Sequence, residues 1–355
     1  MESPVEKTRS IRVAVDAMGG DFGPCEVIKG CVEAIRGLPD VSLVLVGDEA
    51  AILRELAVNG EHLSDRLSIL HTTQTIDMCE PPVQAVRSKK DSSINRGMEL
   101  LRDKKVDAFL SAGSTGAMVA AAMFIVRRSP AVKRPAIATA LPTVVEGRPV
   151  LVLDAGANSD CTPVELEQFA IMGKIYSEKV IGRVDPSVGL LSIGTEDSKG
   201  NELTKKTLEL LKANRLIHFL GNVEGHDLFR GDTDVVVCDG FVGNVVLKTT
   251  ESLAKALMGR LKDSLLKTTA RKLAALLLKP AFKEVKKVMD PDVYGGAPLL
   301  GVNGTVIITH GAASHRAIFH AIRVSAECAS KNVADLITHN LALLKDHSDT
   351  GLYNS

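Results

Sequence analysis

Residues 190–206 read LLSIGTEDSKGNELTKK. Apolar residues run into Gly194, a tight cluster of hydroxyl, acid and amide side chains follows, and from Asn201 the spacing becomes helical. A strand therefore ends in a polar turn that passes the chain to a helix. One cation, Lys199, is enclosed in that turn between Gly194 and Gly200.

The same unit recurs outward in both directions. Apolar, β-branched runs predict strands over 11–16, 42–46, 67–70, 106–111, 136–140, 150–154, 188–193, 216–220, 235–239 and 306–309. Helical spacing is clear over 24–36, 92–104, 115–127, 163–179, 201–213, 244–268 and 315–336. Such alternation predicts an α/β fold, a three-layer α/β/α sandwich around a mostly parallel sheet. No internal repeat or low-complexity linker is visible, and 143–149 reads as a turn or hairpin inside one domain.

The 355 residues contain 45% apolar side chains and no tryptophan, so the core must be built from Val, Leu, Ile and Ala. A net charge of zero gives no reason to expect nucleic acid as a partner. The six cysteines and nine histidines are scattered without metal-ligand spacing, so no metal is expected and the thiols read as reduced. The start, MESPVEKTRS, carries charges where an export signal needs an apolar core, which implies a cytoplasmic protein. The run AGSTGAMVAAAMFIV is too short and too rich in small residues to span a bilayer and reads as a buried helix.

Six predicted strands end in glycine-rich polar turns: DAMGGDFGP from Asp16, SAGSTGA from Ser111, DAGANSD from Asp154, GTEDSKGN from Gly194, GNVEGHD from Gly221 and DGFVGN from Asp239. Ligands of open α/β sheets sit at the carboxyl ends of strands, so these turns are expected to converge on one cleft. Glycines permit close backbone approach, and helix N-termini offer free N–H groups to an anion. Neither GxxxxGK[ST] nor a GxGxxG after the first strand is present, which counts against nucleotide and dinucleotide cofactors. Asp16, Asp21, Asp154 and Asp239 stand at strand ends without a metal spacing, which favours an orienting role. Lys199 suits the holding of a phosphate as a compact point charge.

The segments VAVDAMGGD, SAGSTGA, RPAIATALPT, LDAGAN, IGTEDSKGNELTKKT, GNVEGHD, DVVVCDGFVGNVVLKT and YGGAPLLGVNG, with the HG at His310, closely resemble the bacterial phosphate acyltransferases. The resemblance covers 11–338, leaving a flexible extension over 1–10 and a polar tail over 339–355. It implies a fold like that of phosphotransacetylases and of isocitrate and isopropylmalate dehydrogenases, a homodimer, and no cofactor. It also implies transfer of a fatty acyl group from acyl carrier protein to inorganic phosphate, feeding a membrane glycerol-3-phosphate acyltransferase in phospholipid synthesis.

Lys199 and Asn244 match the family's catalytic pair. Asp16, Gly19, Gly20, Gly113, Ser114, Thr115, Gly116, Asn158, Glu196, Asp197, Asp239, Gly243 and His310 are the expected substrate-binding positions. The chain departs from the family pattern at Phe22 and Gly23, at Ser114, at His226, and at Ala312, Ala313 and Ser314. An acyl-CoA-dependent phosphotransacylase and a non-catalytic scaffold for lipid enzymes remain alternatives. Residues 253–289 carry ten Lys or Arg against two acids with strong apolar periodicity. That segment suits an anionic membrane surface, the acidic carrier protein or a dimer partner, and the family resemblance favours peripheral membrane association. Pro280 is expected to end or kink it.

Overall fold

The computed structural model describes residues 10–288 and 291–349. The chain begins with β1 (Ile11–Asp16), α1 (Cys25–Gly37), β2 (Val41–Gly47), α2 (Glu49–Val58), β3 (Leu67–His71), α3 (Pro82–Ser88), α4 (Ser93–Arg102), β4 (Ala108–Ser111) and α5 (Thr115–Ala121), then β5 (Ala136–Leu141). It continues with β6 (Val150–Leu153), α6 (Pro163–Tyr176), β7 (Ser187–Leu191), α7 (Glu202–Ala213), β8 (His218–Val223), β9 (Val235–Val237), α8 (Gly240–Leu265), α9 (Thr269–Leu277) and α10 (Lys279–Val288). It closes with β10 (Ala297–Leu300), β11 (Thr305–Ile308), α11 (His315–Ser330) and α12 (Val333–Asp349). Two compact units result: Met1–Ile137 with Glu178–Gly182 and Asp292–Ser355, and Ala138–Ser177 with Arg183–Pro291.

In the first unit the strands run in the order β3-β2-β1-β4-β11, all parallel, followed by β10, antiparallel to both β11 and the first residues of β5. Helices α1 and α11 pack together along one face, while α4 and α5 form a separate group. The chain leaves β1 for β2 on one side, and β4 later pairs on the other side. The carboxyl ends of β1 and β4 therefore form a topological switch point, where α/β sheets bind ligands.

In the second unit β5 pairs antiparallel with β6, and β6-β9-β7-β8 follow in parallel. Alternation along the strands assigns the two faces. An added Cβ at Gly173 of α6 would meet Val235 and Leu153, so those residues face α6. Val152, Val236 and Cys238 turn the other way, into a cluster joined by Val246 and Leu247 of α8. Helices thus cover both faces, and the mostly parallel α/β expectation holds.

Local chemistry accounts for the helix starts. Thr162 and Glu165 form a reciprocal capping box on α6, and Ser92, Asn201 and Asp239 accept the first-turn amides of α4, α7 and α8.

The structure corrects several expectations. The helix predicted over 315–336 breaks after Ser330, where Asn332 takes φ 50°, so α11 and α12 are separate. Helix α12 runs on to Asp349 through residues expected as a polar tail, with Leu341 fully buried. The elements α2, α3 and β10 had not been predicted. Helix α2 buries only Ile52 and Leu56, and β10 is a short Ala-Pro-Leu-Leu run whose Pro298 lacks the usual strand donor. The extension over 1–9 and the end of the tail lie outside the described residues. Pro280 stands in the first turn of α10, just after the break that ends α9.

Candidate active site

Asp16 closes β1 and Ser111 closes β4, so the parallel pairing of the two strands puts them side by side. The Ser111 hydroxyl donates to Asp16 Oδ2 at 2.7 Å, Met18 N–H donates to Oδ1 at 3.1 Å, and Gly113 N–H donates to Ser111 Oγ at 2.9 Å. Burial pushes the Asp16 carboxyl up from its usual range, against the pull of the Ser111 and Ser93 hydroxyls and the Met18 and Gly19 amides. Asp16 is thus the organiser of two turns. Gly19 must lack a side chain, because a Cβ would lie 2.7 Å from Asp16 Oδ2 and 2.8 Å from Gly113 N.

The turn after β11 joins this group: Asp21 N–H donates to Gly311 O at 2.7 Å, and Gly20 faces the same carbonyl. His310 is exposed, and its Nδ1 accepts Ala312 N–H at 3.0 Å. Ser114 is buried as the N-cap of α5, while Thr115 and Gly116 are exposed on its first turn, with Gly116 against Pro82. Phe22 is exposed.

The second unit gathers another set. Asp154 follows β6, is completely buried, and receives Gly156 and Ala157 N–H on Oδ1, both at 3.0 Å. Its Oδ2 receives Asn158 N–H at 2.7 Å and the Asn158 amide at 2.8 Å. The main chain of Asn158 then accepts Gly240 N–H at 2.8 Å, which ties this turn to the start of α8. Asp239 caps α8 through Val242 N–H at 2.9 Å. Gly243 lies so close to Asp154 that a Cβ would meet its carbonyl oxygen and stand 2.9 Å from its carbonyl carbon. Asn244 follows, exposed, and a Cβ at Gly156 would lie 3.4 Å from Asn244 Cβ.

Lys199 is exposed, and its stem folds over Gly194, where a Cβ would be 2.7 Å from Lys199 Cγ. Its N–H donates to Glu196 O at 3.0 Å. Glu196 and Asp197, both expected at the substrate, differ in what they do for this turn. Glu196 holds it through its carbonyl, whereas the Asp197 carboxylate pairs with Lys212 of α7 on the exposed side. Sequence reasoning missed Ser111 as the partner of Asp16 and Asn222 as a donor to Glu196 O, at 3.1 Å. A polar residue at the carboxyl end of a strand was the available signal in both cases. Glu224, His226 and Asp227 bring possible ligand atoms within 4.8 Å, but the Asp227 carboxylate already receives Arg230 and Glu224 N–H.

The family described as "Fatty acid synthesis protein" matches residues 11–336. The phosphate acyltransferase of Halothermothrix orenii is 49% identical over 332 residues, covering 93% of this chain and 98% of that protein. The chain belongs to the phosphate acyltransferase family. The Bacillus subtilis phosphate acyltransferase is 47% identical over 327 residues, covering 92% of this chain and 97% of that protein. Membership makes this chain an acyltransferase with phosphate and an acyl donor as substrates. A phosphotransacetylase from Streptococcus pyogenes shares the fold, with a TM-score of 0.62 and 18% identity over 90% of this chain and 94% of that one. The EutD phosphotransacetylase from Staphylococcus aureus does likewise, at 0.59 and 16% over the same shares.

Proposed function

We propose that this phosphate acyltransferase moves a long-chain fatty acyl group from acyl carrier protein to inorganic phosphate, giving an acyl phosphate for glycerol-3-phosphate acylation. The observation that carries the reading is the turn after β7, which presents an exposed Lys199 on a backbone held by Glu196 O. The lysine holds the phosphate beside the thioester carbonyl, and Asn244, beside the Gly156 turn, donates its amide to the carbonyl oxygen.

A phosphate oxygen attacks the carbonyl carbon; as the C–O bond closes, the C–S bond opens and the carrier's thiolate leaves, later taking a proton from water. Phosphate is partly dianionic at neutral pH, so no strong base is required. No covalent acyl-enzyme is involved. Burial holds the thiols of Cys31 and Cys238 well above the usual cysteine range and pushes those of Cys161 and Cys328 up to about 12, which disfavours a thiolate nucleophile at these four positions.

Hydroxylamine trapping of acyl phosphate, with acyl carrier protein and acyl-CoA compared as donors, tests the reading. Equal turnover of acyl-CoA would move the assignment to a phosphotransacylase. No phosphate-dependent release from either donor would end it.

The end of α8 with α9 and α10 supports a peripheral membrane site. Leu253, Leu257 and Leu261 form one exposed stripe on α8, and Leu273, Leu276 and Leu277 are exposed on α9, within the segment of ten basic residues. Among the described residues no helix is long and apolar enough to cross a membrane. Anionic vesicles should therefore float the protein at low salt, and neutral vesicles should not. A homodimer belongs to the same reading, and light scattering tests it.

A further inference from the structure

Two buried polar atoms at the carboxyl ends of β7 and β8, Ser192 Oγ and Asn222 Oδ1, have no partner among the described residues. Asn222 is 7% exposed and stands opposite Leu190 in the ladder. Ser192, two residues on from Leu190, shares that face of the sheet. An apolar side chain would fill such a position without leaving a bare oxygen.

The other half of the amide accounts for its presence. Asn222 Nδ2 donates to Glu196 O at 3.1 Å, and the same carbonyl accepts Lys199 N–H at 3.0 Å. One oxygen therefore closes the turn on itself and anchors it to β8. Other holds among the described residues are weak: Thr195 to Lys199 are exposed, the Lys199 stem rests on Gly194, and the Asp197–Lys212 pair lies in solvent. At its far end Gly200 takes φ 102°, and Asn201 begins α7.

We propose that Asn222 is the positioning residue of the Lys199 turn: its amide N–H fixes the Glu196 carbonyl, and with it the height at which the lysine ammonium stands. Asn222 touches no substrate in this scheme. The inference rests on the proposed role of Lys199 and deepens it, because it predicts a selective loss on the phosphate side.

The test uses two variants of the full chain. Asn222→Asp keeps the shape, removes the donor and sets a carboxylate against the carbonyl; Asn222→Leu removes the amide and fills the space. In both, KM for phosphate is expected to rise about tenfold while KM for the acyl donor stays within about twofold. Amide exchange at residues 196–200 should quicken by a similar factor, with α6 unchanged.

A merely structural role would lower the melting temperature and move both KM values together, and that result overturns the proposal. So does unchanged phosphate KM and exchange in both variants. If Asn222→Asp does not fold, Asn222→Leu decides alone. If the wild-type chain releases no acyl group to phosphate, the proposed function fails and the exchange measurement still decides whether Asn222 fixes the turn.

Discussion

The contact between Gly243 and Asp154 gives the sharpest perturbation. A methyl group at Gly243 would overlap the Asp154 carbonyl oxygen, lie 2.9 Å from its carbonyl carbon, and lie 3.1 Å from Cys238 Sγ. The obstacle is main chain, pinned by β6 pairing with β9 and by the four hydrogen bonds around the Asp154 carboxylate, so it does not yield. The start of α8 must then retreat by about 1 Å, carrying the adjacent Asn244 with it. A displacement of that size at a reacting group costs on the order of a hundredfold in rate, about 2.7 kcal/mol of barrier, and overpacking costs about 1–3 kcal/mol of stability. Gly243→Ala should therefore lose about two orders of magnitude in kcat for phosphate-dependent acyl release, with a melting temperature a few degrees lower. Gly259→Ala is the control, since among the described residues nothing beyond its own helix backbone lies within 4 Å of the added methyl, and it should gain up to about 1 kcal/mol with normal turnover. If Gly243→Ala kept turnover within about twofold of wild type, the link between this contact and Asn244 would be refuted.

Lys199→Ala should abolish most phosphate-dependent turnover, and Lys199→Arg should recover only part, because a planar fork does not replace a point charge; full activity of Lys199→Ala in steady-state assays would remove the lysine from the mechanism. Asp16→Asn should destabilise by about 1–3 kcal/mol in urea, since an amide N–H₂ would face donors that now share a carboxylate; a neutral result would mean that the buried site relaxes around the amide. Glu26 accepts the first N–H of α11 at 2.7 Å and the His315 ring at 2.9 Å, and these bonds, the main-chain one foremost, hold its carboxyl below the usual range. A depressed carboxyl contributes stability above its unfolded value and loses it as pH falls through the folded value, so Glu26→Gln should flatten the loss of urea resistance below about pH 4.5. An acid limb unchanged in that variant would contradict this.

Much of the fold was legible because strands buried on both faces write themselves as continuous Val, Leu and Ile runs, as in Val150–Leu153 and Val235–Val237. What escaped lacked that signature. Helix α3 is seven residues opened by prolines, and β10 hides a proline in a four-residue strand. For the candidate site, the enclosed lysine and the acidic strand ends single out turns that the structure places after β1, β6 and β7 and at the start of α8. Their partners did not show, because Ser111 and Asn222 become meaningful only once β4 lies beside β1 and β8 beside β7. The sequence places Asn158 at the substrate but does not show that its side-chain amide donates to Asp154. Spacing along a chain carries no information about which neighbour a buried carboxylate will recruit.

The pairing of β4 with β11 has a consequence for synthesis. Val306 aligns with Phe109, so a strand made early waits for one made near the end of the chain. Until then β4 offers an open edge of Ala108 to Ser111, wholly apolar but for its last residue, to any other chain nearby. No fragment ending at β5 can close its own sheet, and a ribosome that stalls late in the message leaves a nascent chain with its stickiest strand bare. Expression of C-terminally shortened forms should yield inclusion bodies rather than a smaller soluble protein.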